Sequence, residues 1–237
     1  MASDFLYLYP EPHAAAVERH AEDTWERSFR ENVSCSRAIE RTLTEIKPDC
    51  AQSVIAQYGF RRTAYVLACT IQGMDAAWSE NARTFTEEWG GWKDPEYEKH
   101  YTVRASREQM EVFTAQIRAA YDALDLFRKD HCVPVSQQKD LRGTVLVLSP
   151  EAMRESCWYP NNQLWLATGG FGCDPNARGR AVYATCLWDG EETRWDRGDF
   201  LGVLKDEHMP EWARERLTAL QTREQLQVSA DHQMGLQ

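Results

Sequence analysis

The chain has 237 residues, 43% of them hydrophobic and 11% aromatic, and 37 acidic against 27 basic side chains give a formal net charge of −10. That much apolar material can build more than one core. The charge has the same sign as nucleic acid and anionic lipid, which excludes binding driven by attraction to either. No basic-then-apolar segment precedes Tyr7 and no apolar run approaches the roughly 18 residues of a membrane span, so a cytoplasmic location is expected.

The first apolar positions, Val17, Ala21, Trp25, Phe29 and Val33, recur every four residues and predict one long amphipathic helix, which Ile39, Leu43 and Ile46 extend toward Pro48. Proline disfavours helical geometry in its predecessor, so a new element begins there. Gln52 to Tyr58 predicts a short helix closed by Gly59, and Phe60 to Ile71, almost wholly apolar after Arg61 and Arg62, predicts a central buried helix stopped by Gly73. Gly90-Gly91 and Asp94-Pro95 then mark a long irregular excursion that carries Trp89, Trp92, Tyr97 and Tyr101, with Glu87 and Glu88 beside it. Ser106 with Gln109 forms a capping box, and Met110, Phe113, Ile117, Tyr121, Leu124 and Phe127 follow at helical spacing, predicting a helix of about 20 residues.

Beyond Lys129 the period is lost, and polar and turn-forming residues predict a linker. Thr144 to Leu148 reads as a strand, Ser149-Pro150-Glu151 as the start of a short helix crossing the sheet, and Gln163 to Thr168 as a second strand. Val182, Ala184 and Cys186 alternate with Tyr183, Thr185 and Leu187, as successive side chains of a strand must. Asp189-Gly190 turns the chain back into Thr193 to Trp195, and Phe200 to Leu204 adds a further strand. A closing helix is expected from Pro210 to about Gln225. The fold class is therefore α+β, an N-terminal helical domain at 1–132, a linker at 133–142, a small, mainly antiparallel β domain with a C-terminal helix at 143–227, and a frayed tail at 228–237.

Enzyme signatures fail in turn. Gly170-Phe171-Gly172 opens like a dinucleotide fingerprint, but Pro175 stands at the third glycine position and the loop leads into a strand. Gly179-Arg180-Ala181 lacks the Gly-Lys-Ser/Thr of a phosphate-binding loop. Seven cysteines without a Cys-x-x-Cys pair predict free, mostly buried thiols, and the spacings of His100, His131 and His208 make no zinc knuckle. Neither a catalytic residue, a metal ligand nor a cofactor is assigned. Asn32-Val33-Ser34 and Arg197-Gly198-Asp199 match extracellular motifs by chance in that compartment.

The remaining candidate is acidic. Asp189, Glu191, Glu192, Asp196 and Asp199 cluster on and beside one hairpin with Trp188 and Trp195. Carboxylates so placed can blunt a sheet edge, hold a divalent cation for a nuclease, or enter a basic groove of a protein partner. Glu87, Glu88 and Trp92 form a second candidate interface on the N-terminal excursion.

Three stretches, LYLYPEPHAAAVERHAEDTWERSFRENVSCSRAIERTL, YGFRRTAYVLACTIQ, and SCWYPNNQLWLATGGFGCDPNARGRAVYATCLWDGEETRWDRGDFLGVLKDEHMPEWARERL, resemble a family of uncharacterised proteins encoded on conjugative and related mobile elements of anaerobic gut bacteria. The resemblance spans nearly the full chain, loosens at DAAWSENARTF, and implies gene context without assigning a residue any chemistry. Joined to the acidic hairpin, it leads to the expectation of a non-enzymatic accessory protein that binds a host macromolecule stoichiometrically, an anti-CRISPR-like inhibitor of a nucleic-acid-binding effector. The partner would be a host or element protein, with neither direct nucleic-acid binding nor a membrane. A hydrolase or nuclease using Cys173 or the Asp189–Asp199 carboxylates is the alternative from another class, and a regulatory module of element transfer is a third.

Overall fold

A computed structural model of the chain describes residues 13–18, 20–44, 49–74, 79–90 and 102–234, with side chains to Thr222. The chain divides into two compact units, Met1–Ala123 and Leu124–Gln237. Helices fill the first, and an antiparallel sheet followed by a helix forms the second, an α+β arrangement.

In the helical unit α1 (His13–Glu18) meets α2 (Glu22–Leu43) at a corner where His20 has φ 56°. The expected single helix is thus two, and the four-residue stripe is not the buried one. A side chain every four residues gains 40° per step on a 3.6-residue helix and walks off the core face. The buried face of α2 runs instead through Trp25, Ser28, Asn32, Cys35, Ile39 and Leu43, while Val17 is exposed. Ser28 and Asn32 face inward because α4 (Phe60–Gly73) brings a buried Arg62 against them. The Arg62 Nη1 donates to the Ser28 carbonyl at 3.0 Å, to the Ser28 hydroxyl, and to the Asn32 Oδ1.

The helix α3 (Cys50–Tyr58) ends as expected at Gly59, whose φ of 85° turns the chain directly into α4. From Arg62 to Ile71 every residue of α4 is buried, making it the central helix of the unit. A helix that the sequence reading passed over, α5 (Glu80–Trp89), starts where the Ser79 hydroxyl accepts the Ala82 N–H. Trp89, Glu87 and Glu88 therefore lie on a helix rather than in the irregular excursion, and Trp89 packs edge-on against Phe60 and Tyr121. Trp92, Tyr97, Tyr101, Ile46 and Pro48 lie outside the described residues.

The capping box of α6 (Arg107–Asp122) is present in both directions, between the Ser106 hydroxyl and the Gln109 N–H and between the Gln109 side chain and the Ser106 N–H. This helix stops short of the expected 20 residues. Past Asp122 the chain enters the second unit through Asp125 at φ 52°, and within that unit the Phe127 backbone is taken by the side chain of Gln163.

That unit is a six-stranded sheet in the order β1-β6-β2-β3-β4-β5, every neighbour antiparallel. The strands are β1 (Cys132–Val133), β2 (Val145–Leu148), β3 (Leu164–Gly169), β4 (Ala181–Cys186), β5 (Glu192–Asp196) and β6 (Phe200–Leu204). One face carries Val145, Val147, Leu164, Leu166, Leu187 and Leu204, against which Trp212, Ala213, Leu217 and Leu220 of α7 (Glu211–Met234) pack. The other face buries Leu146, Trp165, Ala167, Val182 and Ala184.

The stretch expected as a linker is built into this sheet. Cys132 and Val133 pair with Leu204 and Val203, and the fully buried Leu141 donates its N–H to the Cys173 carbonyl at 2.9 Å. Between β2 and β3 only 3-10 turns form, at Pro150–Ala152, Glu155–Cys157 and Pro160–Gln163, where a crossing helix was expected. The closing helix, expected to about Gln225, runs to Met234.

Candidate functional site

The β4–β5 hairpin positions the acidic cluster. Its strands form because Val182 and Ala184 alternate into the core while Tyr183 faces out, and the Cys186 N–H closes the loop on the Glu191 carbonyl at 2.8 Å. Gly190 takes φ 81° at the tip. The Asp189 carboxylate accepts the Glu191 N–H at 2.9 Å, and that bond holds its carboxyl below the usual carboxylate range.

Trp188, 51% exposed, stands at this tip on its own support. Its ring meets Trp212 of α7 edge to face at 5.6 Å, and Arg216 donates to its carbonyl. Glu191 and Glu192 are exposed, and among the described residues neither enters an ion pair. Glu191 accepts the Thr193 hydroxyl at 2.9 Å.

The other carboxylates of the cluster are committed to the fold. Asp196 is gripped by the Arg180 guanidinium, with Nε at 2.9 and 3.1 Å and Nη2 at 2.7 Å, and also accepts the Gly198 N–H. The arginine hydrogen bond, then the backbone one, lowers the Asp196 carboxyl. Asp199 accepts the Asp196 N–H at 2.9 Å and closes the turn into β6. Trp195 is half-buried, packed edge-on against Trp165 at 5.2 Å, and contributes to the sheet rather than to an open surface. Of the residues singled out on the hairpin, Asp189, Glu191 and Glu192 are thus displayed together, while Asp196, Asp199 and Trp195 are structural.

On the helical unit Glu87 is exposed on α5, and Glu88 reaches Arg118 at 3.4 Å while that guanidinium lies over the Phe85 ring. Trp92 lies outside the described residues. A cleft of about 490 Å³ in the same unit is lined by Arg41, Asp49, Cys50 and Gln57 among others, and the Cys50 thiol donates to the Gln116 side-chain oxygen at 3.1 Å.

Cys173 is fully buried in the glycine-rich loop and donates to the Gly169 carbonyl at 3.0 Å. Burial first, and Asp140 next, push its thiol up, the opposite of what a thiolate nucleophile needs. Around it Gly170 has φ 100° and Gly172 lies against the Arg180 carbonyl. The Arg197 guanidinium fastens the loop by donating to the carbonyls of Gly172, Asp174 and Ala177.

The hairpin carboxylates do not converge on a cation position. Among the described residues the one group of three whose ligand atoms lie within 4.8 Å of one another is His13, Glu22 and Glu26, at the α1–α2 corner. Neither the Cys and His spacings nor the hairpin carboxylates point to this trio in the sequence. Its signal was Glu22 and Glu26 four residues apart, a histidine upstream, and a chain reversal that only the His20 corner reveals.

Residues 8–122 match the family model described as Protein of unknown function (DUF3849), a stretch that stays inside the first unit. No curated protein and no solved structure matches the chain. No helix among the described residues is long and apolar enough to cross a membrane.

Proposed function

We propose that the chain is a stoichiometric protein-binding factor, an anti-CRISPR-like inhibitor whose acidic hairpin occupies the basic groove of a nucleic-acid-handling effector. The observation that supports this reading most is the tip Trp188–Glu192. It carries three carboxylates beside a half-exposed tryptophan buttressed by Trp212, so both charge and apolar surface are displayed on a braced element. Charge complementarity of this kind accelerates encounter, and an aromatic fixed in advance contributes contact area at little cost in ordering. The mobile-element context is the part of the proposal that rests on sequence resemblance alone.

The test is inhibition of purified bacterial nucleic-acid-guided and nucleic-acid-cleaving effectors. Cleavage should stop at about one equivalent of the protein, and inhibition should weaken with rising salt, since charges are screened beyond about 8 Å at physiological ionic strength. The double variant Glu191→Lys/Glu192→Lys should associate more slowly by at least tenfold with an unchanged circular dichroism spectrum. Asp196 is left intact because it holds Arg180. Unchanged inhibition by the double variant, or turnover of a substrate at substoichiometric protein, refutes the proposal.

A further inference from the structure

We infer that the corner between α1 and α2 is a divalent transition-metal site, with His13, Glu22 and Glu26 as its protein ligands. His13 Nε2 lies 3.5 Å from a Glu22 carboxylate oxygen, and all three ligand atoms fall within 4.8 Å of one another. Ligand atoms bound to one ion at about 2.1 Å in a tetrahedral shell stand about 3.4 Å apart, so a gap of up to 4.8 Å must close by up to about 1.4 Å. Rotamer adjustment of two half-exposed glutamates supplies that.

Two further features converge on the same point. The imidazole is oriented by the edge of Trp25, with ring centroids 4.8 Å apart, so the nitrogen meets the carboxylates from a fixed direction. Glu22 and Glu26 sit four residues apart on one helical face, where like charges repel and a shared cation removes the penalty. One oxygen of Glu26 lies 3.6 Å from Arg30.

The donor set selects the class of ion. One imidazole with two carboxylates suits Zn²⁺ or Mn²⁺, whereas Mg²⁺ and Ca²⁺ prefer oxygen alone. Three protein ligands also leave a position open to water or to a fourth ligand. The physical effect of the ion is a clip: α1 is a six-residue helix, HAAAVE, that offers Ala16 to the interior and leaves Val17 outside, and the metal ties it to α2.

The experiment is calorimetric titration of the chelator-treated full chain with Zn²⁺, repeated with Mg²⁺. We expect one equivalent of Zn²⁺ bound at micromolar concentration, and Mg²⁺ weaker by at least tenfold. His13→Gln and Glu26→Gln should each weaken zinc binding tenfold or more. Glu26→Gln lies on the long α2, so it retains the fold even where His13→Gln loosens α1. Absence of zinc binding overturns the assignment. So does stoichiometric binding that survives both variants, or that is lost instead in His131→Gln/His208→Gln, whose rings stack 4.5 Å apart in the other unit, or in the exposed Cys157→Ser.

Discussion

Replacing Gln163 by leucine should cost the sheet unit about 3 kcal/mol. The side chain is fully buried and makes three hydrogen bonds, accepting the Phe127 N–H at 2.7 Å and donating to the carbonyls of Phe127 at 3.1 Å and Leu148 at 3.0 Å. Leucine keeps most of the volume, so the cost is polar rather than a cavity. Phe127 is half-buried and water can partly re-solvate its two freed groups, which places each at roughly 1 kcal/mol. Leu148 is 1% exposed, and its carbonyl bears a desolvation cost of roughly 1–3 kcal/mol. Against a typical domain stability of about 5–15 kcal/mol this is a large fraction. Native-state hydrogen exchange of the β2 and β3 amides, followed by mass spectrometry, reads the loss directly. A change below about 1 kcal/mol would refute the claim that Gln163 fastens the segment after α6 to the sheet.

Arg62→Ala should destabilise the helical unit by about 3 kcal/mol or more, because Ser28 and Asn32 lose a buried charged donor; exchange of the α4 amides measures it, and Arg62→Lys should recover less than half. Under native conditions at neutral pH a thiol reagent should label Cys157 alone within minutes, the other six cysteines being buried. Burial pushes the Cys35 thiol up to about 12 and Cys132 up to about 11, so both stay protonated in the fold while the unfolded thiols ionise. Stability from these two is therefore complete below about pH 9 and falls as pH rises toward 11 and 12, by at most about 1.4 kcal/mol per pH unit for each thiol. Urea unfolding at a series of alkaline pH values with Cys35→Ala and Cys132→Ala checks this, and a flat profile in the parent chain would count against it.

The elements that could be read from the sequence are those with a local stop or start signal. Gly59 ends α3, Ser106 with Gln109 starts α6, and the alternation around Val182 marks β4 before any tertiary contact is known. The elements that were missed draw their stability from partners distant in sequence. The sequence of α5, ENARTFTEEW, offers Ala82, Phe85 and Trp89 on a single face, and its aromatic end is fixed by Phe60 and Tyr121. β1 is two residues long and exists because Val203 and Leu204 pair with it. The inward face of α2 carries the polar Ser28 and Asn32, and Arg62, which pairs with them, lies about a helix and a half further on. The site follows the same rule: five carboxylates are equivalent in sequence, and the position of Arg180 decides that Asp196 is structural while Glu191 and Glu192 remain displayed.

The place of β6 in the sheet sets an order on synthesis. Of the six strands of the sheet it is the last to leave the ribosome, yet it lies between β1 and β2, the first two. Until Leu204 has been made, the wholly apolar strand Val145–Leu148 has β3 on one side and an open ladder on the other. A nascent or prematurely terminated chain ending after β5 would therefore present VLVL as a sticky edge, whereas the helical unit has its entire sequence available by then.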